Sequence, residues 1–226
     1  MNLTPVQSRV VGCLIEKEMA TPDNYPLTMN GLLAACNQTS NRNPVTKLDE
    51  STVDNALLNL REMKVVRIVY SRSNRADKFR HALDEMLALE PEHLAVLSVL
   101  MLRGPQTSSE LRTRTERFHP FASQDDVDEA LRQLAGRNEP LAARLERRPG
   151  QKESRWAHLL GGDLSEALAG DDDDADDDRR PTPRADRLVA LEEVVAELRA
   201  DLDRLYAAHR SLVARLGESD DLADGP

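Results

Sequence analysis

The sequence predicts a mainly α-helical chain with small β-hairpins (α+β). The expected architecture is two tandem winged helix-turn-helix domains, then an acidic disordered linker and a C-terminal coiled-coil helix. Three observations lead there. Residues 1–85 read as three amphipathic helices and a β-hairpin, and residues 86–160 repeat that order. Residues 171–178, DDDDADDD, put seven like charges into eight positions, which repel one another. Residues 184–217 carry apolar positions that step alternately by three and four, the coiled-coil period.

In the first domain, 1–85, Thr4 caps a helix over residues 4–19 and Pro5 suits its first position. Val6, Val10, Val11, Leu14 and Ile15 recur at helical spacing. TPDNYP is a turn, and Thr28–Asn37 reads as a second helix with Leu32, Leu33 and Cys36 inward. Asp49 or Ser51 caps a third helix that runs to Met63, with Val53, Ala56, Leu57 and Leu60 inward. VVRIVYS alternates and is β-branched, SNRA turns, and DKFRH returns. In the second domain, 86–160, Glu90–Leu102 is a helix. Thr107 or Ser108 caps the next, with Leu111 inward. Ser123 caps the third, with Val127, Ala130, Leu131 and Leu134 inward. Leu141–Leu145 is a strand, Pro149-Gly150 tips a hairpin, and SRWAHLL returns.

Residues 161–183 form the acidic linker, with Gly161-Gly162 at its start and Pro181 and Pro183 at its end. The helix over 184–217 has an unbroken seam of Leu188, Leu191, Val195, Leu198, Leu202, Leu205, His209, Leu212 and Leu216. At about 1.5 Å per residue the seam is about 43 Å long. Leucine at every d position favours a two-stranded homodimer held by Leu191, Val195, Leu198, Leu202, Leu205 and Leu212. Val194, Ala208 and Val213 broaden the apolar face, so folding back onto the chain's own domains stays open. Residues 218–226 read as a disordered tail.

The net charge of −10 is unevenly placed. Residues 1–85 carry 11 basic and 10 acidic side chains, residues 86–162 carry 11 of each, and residues 163–226 carry 8 against 19. The acidity therefore belongs to the last third and does not argue against anion binding in the first two. With 40% apolar and 3% aromatic residues, a collagen and a disulfide scaffold are excluded, and the composition weighs against a large single β-sandwich. The longest apolar run, Leu94–Leu102, is broken by Ser98 and is too short for a membrane span. The N-terminus, MNLTPVQSRV, lacks a basic segment followed by an apolar one, so a cytoplasmic chain is expected. Cys13 and Cys36 lie among apolar residues and read as buried reduced thiols, with a disulfide or metal pair as the alternative.

Residues 12–45, GCLIEKEMATPDNYPLTMNGLLAACNQTSNRNPV, resemble the YceH-like family of bacterial proteins. The matching features are the EKE stretch after Gly12-Cys13, the TPDNYPL turn, and the stretch from Ala35 to Val45. In the second repeat, Leu100–Thr107 and PGQKESRWAHL at Pro149–Leu159 match as well. The resemblance covers residues 3–160. It implies a tandem winged-helix fold and brings no settled biochemical activity.

Two non-enzymatic function classes lead, and an enzyme comes a distant third. A DNA-associated regulator would use basic wings on double-stranded DNA, through Arg72, Arg75, Lys78 and Arg80 in the first hairpin and Arg148, Lys152 and Arg155 in the second. The alternative is a protein-interaction scaffold. The third helices favour it, because Asp125, Glu129 and Arg132 face outward beside Asp126 and Asp128, and Glu62 and Asp54 flank Asn55 and Asn59. The family-like polar stretch Asn37, Gln38, Ser40, Asn41 and Arg42 can present donors to a partner or brace the end of the second helix. No catalytic residues, cofactors or metal ligands are expected. Glu16, Lys17 and Glu18 are adjacent and point apart on a helix, and the five histidines stand isolated from metal-ligand spacings.

Overall fold

The computed structural model describes residues 1–70, 76–147 and 153–161. These residues fall in one compact unit. They form seven α-helices and two small antiparallel sheets, an α+β arrangement.

Helix α1 (Pro5–Ala20) starts at Thr4, whose side chain accepts from the Gln7 amide while Gln7 answers the Thr4 amide, a reciprocal cap. After a single 3-10 turn, Pro22–Asn24, the two-residue strand β1 (Leu27–Thr28) leads into α2 (Met29–Cys36). The Thr28 hydroxyl caps α2 by accepting from Gly31. Asp49, rather than Ser51, caps α3 (Glu50–Glu62). Strands β2 (Val66–Val69) and β3 (Lys78–His81) follow, and the sheet order is β1-β3-β2. Phe79 sits opposite both Leu27 and Ile68, so one buried ring anchors both strand pairs. The strands are shorter than the alternating sequence implies. A short helix, α4 (Leu83–Leu87), was not apparent in the sequence and spans the expected 85/86 boundary.

The second half is α5 (Pro91–Arg103), α6 (Ser108–Thr115), α7 (Gln124–Ala135), β4 (Ala142–Arg144) and β5 (Trp156–His158). Thr107 and Ser123 cap α6 and α7, each with a reciprocal partner three residues on. Gln106, just before that first cap, exchanges both backbone hydrogen bonds with Trp156, at 3.0 and 2.7 Å. Leu27 of β1 stands in the same place in the first half, just before the cap Thr28 and paired with the returning strand of its hairpin.

The apolar residues of both halves form one continuous core. Residues 7–17 of α1 and 93–102 of α5 are buried all round, as a central helix must be. α1 lies against α5 and also against α2, α3 and β3, while α5 reaches α6, α7 and β5. Ser98 interrupts the apolar run of α5 but is satisfied locally, since its hydroxyl donates to the Ala95 carbonyl at 2.8 Å.

Candidate functional site

The join between the halves is where polar chemistry concentrates. α1 carries a stripe of Arg9, Cys13 and Glu16, spaced four and three residues apart and therefore on one face. Over that stripe lies the loop from Asn37 to Leu48. Asn37 closes the loop with its amide, donating to the Leu48 carbonyl at 2.8 Å and accepting from the Leu48 amide at 2.7 Å. Asn41 adopts a left-handed backbone, φ 57°, which asparagine tolerates. Arg42 turns inward and is 6% exposed.

The Arg42 guanidinium is fully engaged. Nε donates to the Ala35 carbonyl at 2.9 Å, Nη1 to Glu16 Oε2 at 2.9 Å and Nη2 to Gln38 Oε1 at 2.7 Å. Arg117, from the segment after α6, approaches Glu16 Oε1 at 3.1 Å. Burial alone would push the Glu16 carboxyl up, but the Arg42 and Arg117 guanidiniums outweigh it and hold the group below its ordinary value. Two further bonds tie the loop to the second half. The Asn43 amide donates to the Leu102 carbonyl at 2.9 Å, and Arg103 donates to Asn41 Oδ1. On the other side Arg9 Nη2 donates to the Pro44 carbonyl at 2.6 Å.

The polar stretch singled out in the sequence therefore faces inward at Arg42 and spends the Asn37, Gln38 and Asn41 side chains on internal partners. Ser40 is half-buried. Glu16 and Glu18 do point apart. Glu18 meets His81 Nε2, while His81 Nδ1 lies 3.4 Å from the Leu83 amide nitrogen. The buried Glu16–Arg42 pair escaped the sequence reading. Its one signal was the helical spacing of Arg9 and Glu16 on one face of α1.

The expected nucleic-acid residues are distributed differently. Lys78 and Arg80 lie on β3, and Arg155 adjoins β5. Arg80 and Arg67 share the Glu85 carboxylate at 2.8 and 2.6 Å; Arg67 and Glu85 are exposed and Arg80 is half-buried. Arg155 is more enclosed and pairs with Glu110 at 3.3 Å. Arg72, Arg75, Arg148 and Lys152 lie outside the described residues, as do Leu191, Val195, Leu198, Leu202, Leu205 and Leu212. The outward residues of the third helices are exposed as expected: Asn55, Asn59 and Glu62 on α3, and Asp125, Asp126, Glu129 and Arg132 on α7.

Among the described residues, no group of three or more His, Cys, Asp or Glu side chains is placed to hold a metal ion. No described helix is long and apolar enough to cross a membrane. An open cleft of about 320 Å³ beside α7 is lined by Glu92, His119, Phe121, Asp126 and Glu129 among others.

His158 on β5 has an enclosed Nδ1 without a hydrogen-bond partner, and burial pulls its imidazole down to about 4. The folded value lies below the ordinary 6.5, so the unfolded chain binds the proton first as pH falls. His158 therefore contributes stability that is complete above pH 6.5 and lost as pH falls from there towards 4. An NMR titration should show its ring still neutral at pH 5.5; a midpoint near 6.5 would contradict this.

The family described as "Protein of unknown function, DUF480" matches residues 3–151, the stretch that holds the join and both sheets apart from the last strand. A UPF0502 protein of Pelobacter propionicus is 49% identical over 210 residues, covering 91% of this chain and 94% of its own length. The chain belongs to this family. Another UPF0502 protein, from Geobacter sulfurreducens, is 51% identical over 191 residues, covering 84% of this chain and 83% of its own length. A third, from Burkholderia ambifaria, is 38% identical over 217 residues, covering 96% of this chain and 90% of its own. The expectation of a bacterial family without a settled activity is met by these matches.

Proposed function

We propose that this chain is a non-enzymatic, cytoplasmic tandem winged-helix protein that associates with double-stranded DNA through the basic hairpin of its first half. The repeated element order supports the winged-helix part. In each half a residue just before the second helix pairs with the returning strand of the terminal hairpin.

The observation that carries the DNA reading is the charge on the first hairpin. Arg67 and Arg80 converge on one carboxylate, Glu85, and Lys78 extends the patch along β3. Exposed pairs of this kind are worth little and exchange readily for phosphate. Arg72 and Arg75 belong to the turn of the same hairpin in sequence. The second half suits phosphate less, because Arg155 is committed to Glu110 and the outer face of α7 is acidic. That acidic face favours a second reading, a scaffold that takes a protein partner there. In either case the heptad helix over 184–217 supplies self-association.

The test is fluorescence anisotropy of the full chain on a mixed-sequence duplex across a salt series. Each phosphate contact contributes about 0.9 to the log–log slope. Changing Arg67, Arg72 and Arg75 to Ala together should flatten the slope by about 3 and weaken binding uniformly across sequences. Absence of binding by the unaltered chain at low salt would discard the DNA reading and leave the scaffold.

A further inference from the structure

The 320 Å³ cleft of the second half opens between the first turn of α5, the segment 119–122 and α7. Part of its lining is apolar. Ala130 of α7 is buried, and Phe121 is half-buried with its side chain packed on the core. The His119 ring meets Phe121 edge-on, with centroids 4.7 Å apart and planes at 70°, so the aromatic wall is held in place.

The rest of the lining is anionic and comes from two helices. Glu92 stands in the first turn of α5. Asp126 and Glu129 lie three residues apart on α7 and share a face. Asp126 Oδ2 accepts from the Ser123 amide at 2.9 Å, and Glu129 Oε1 accepts from Gln133 at 3.0 Å, so both carboxylates are oriented. The Glu92 carboxylate has no hydrogen bond or ion pair with a described residue. No Lys or Arg lines the cleft. Two cations adjoin it: Arg112 donates to the Ala122 carbonyl at 3.2 Å, and Arg132 pairs with Glu129.

An apolar wall beside three carboxylates suits an occupant with an apolar stem and a cationic head. Arginine has that form: its methylenes lie along apolar surface, and its planar fork can meet carboxylates on two sides. Phosphate is repelled, so the cleft is no second contact for DNA. Ligand clefts run from roughly 300 to 1,000 Å³, and one at the small end takes one or two side chains rather than a helix. The Arg132–Glu129 pair is exposed on both sides and costs little to exchange.

We propose that this cleft is a docking site for an extended segment of a partner protein that presents an arginine beside an apolar side chain. The guanidinium lies between Glu92 and the Asp126–Glu129 pair, and the apolar side chain covers Phe121 and Ala130. The inference rests on the scaffold reading of the acidic α7 face and is independent of DNA association.

The probe is a short fluorescein-labelled peptide that alternates arginine and leucine. Its anisotropy is followed with the full chain at about 0.15 M salt, which screens distant exposed charges such as those of the aspartate run. A second peptide replaces each leucine with serine and keeps the charge. The first peptide should bind, and the second at least tenfold more weakly. Glu92→Gln with Glu129→Gln keeps side-chain size and should weaken the first peptide at least tenfold, with an unchanged urea midpoint. Amide shifts in the ¹⁵N-labelled chain should centre on Glu92, His119, Phe121 and Ala130. Equal binding of the two peptides would overturn the proposal, because charge alone would then account for it. Unchanged affinity in the double variant, or shifts confined to residues 171–178, would do the same. Shifts confined to Asp125 and Arg132 would remove the cleft and leave the scaffold reading standing. No binding of either peptide would overturn the assigned chemistry, while a partner of different chemistry on α7 would still satisfy the scaffold reading.

Discussion

Gly12→Leu is expected to destabilise the protein by about 3 kcal/mol, the upper part of the range for overpacking a filled core. Gly12 sits on α1 where it crosses α5. A Cβ at this position would lie 3.0 Å from Leu102 Cγ, 3.1 Å from Leu102 Cδ2 and 3.1 Å from Met101 Cβ. Leu102 and Met101 are themselves buried, at 2% and 6% exposure, so neither can swing outward. Three further carbons must therefore push the helices apart or force strained rotamers. Gly12→Ala is a different case. Its single added carbon makes those three tight contacts but gains about 1 kcal/mol of helix propensity over glycine, so it should stay within about 1 kcal/mol of the parent. Urea unfolding of both variants separates the effects. A Gly12→Leu midpoint equal to that of the parent would show that the crossing has room to spare. Because the two halves share one core, the loss should appear in a single transition.

The helices were legible because their signals are local. Thr4, Thr107 and Ser123 announce their helices by hydroxyls placed to bond a backbone amide three residues on, and the inward residues of α3 and α7 follow from period alone. β1 was not legible, because two residues become a strand only when Phe79 arrives from 52 positions further along to pair with Leu27. α4 was missed for another reason: it has five residues and no side-chain cap. The join follows the same division. The Arg9, Cys13 and Glu16 stripe could be read from helical spacing. Its partners could not, since Arg42 lies 26 residues from Glu16 and Arg117 lies 101 residues away. The polar stretch at 37–42 stood out by composition, but only the loop closure by Asn37 decides that Arg42 turns inward. The hairpin tips and the heptad helix lie outside the described residues.

Arg42→Met is expected to cost about 3–5 kcal/mol, the penalty for stranding one member of a buried ion pair. The size of the loss should also depend on pH, and its slope distinguishes the ion pair from simple packing. In the parent, Glu16 is held below its ordinary value of 4.5. The unfolded chain therefore protonates first, and the pair contributes stability that is present above pH 4.5 and lost as pH falls through the folded value. In Arg42→Met the balance changes sign. Burial, the largest influence on Glu16, is then opposed mainly by Arg117 from the half-exposed rim. The carboxyl is pushed up, the folded state favours the neutral acid, and stability falls as pH rises through the new folded value. The gap between parent and variant should accordingly widen from pH 4.5 to 7.5 in urea unfolding. Adding Glu16→Gln to Arg42→Met removes the stranded charge and should recover a large part of the loss at pH 7.5, with little effect at pH 4.5. A gap that stays constant with pH, and a double variant as unstable as the single one, would mean that Arg42 serves the loop through its carbonyl contacts and owes little to Glu16.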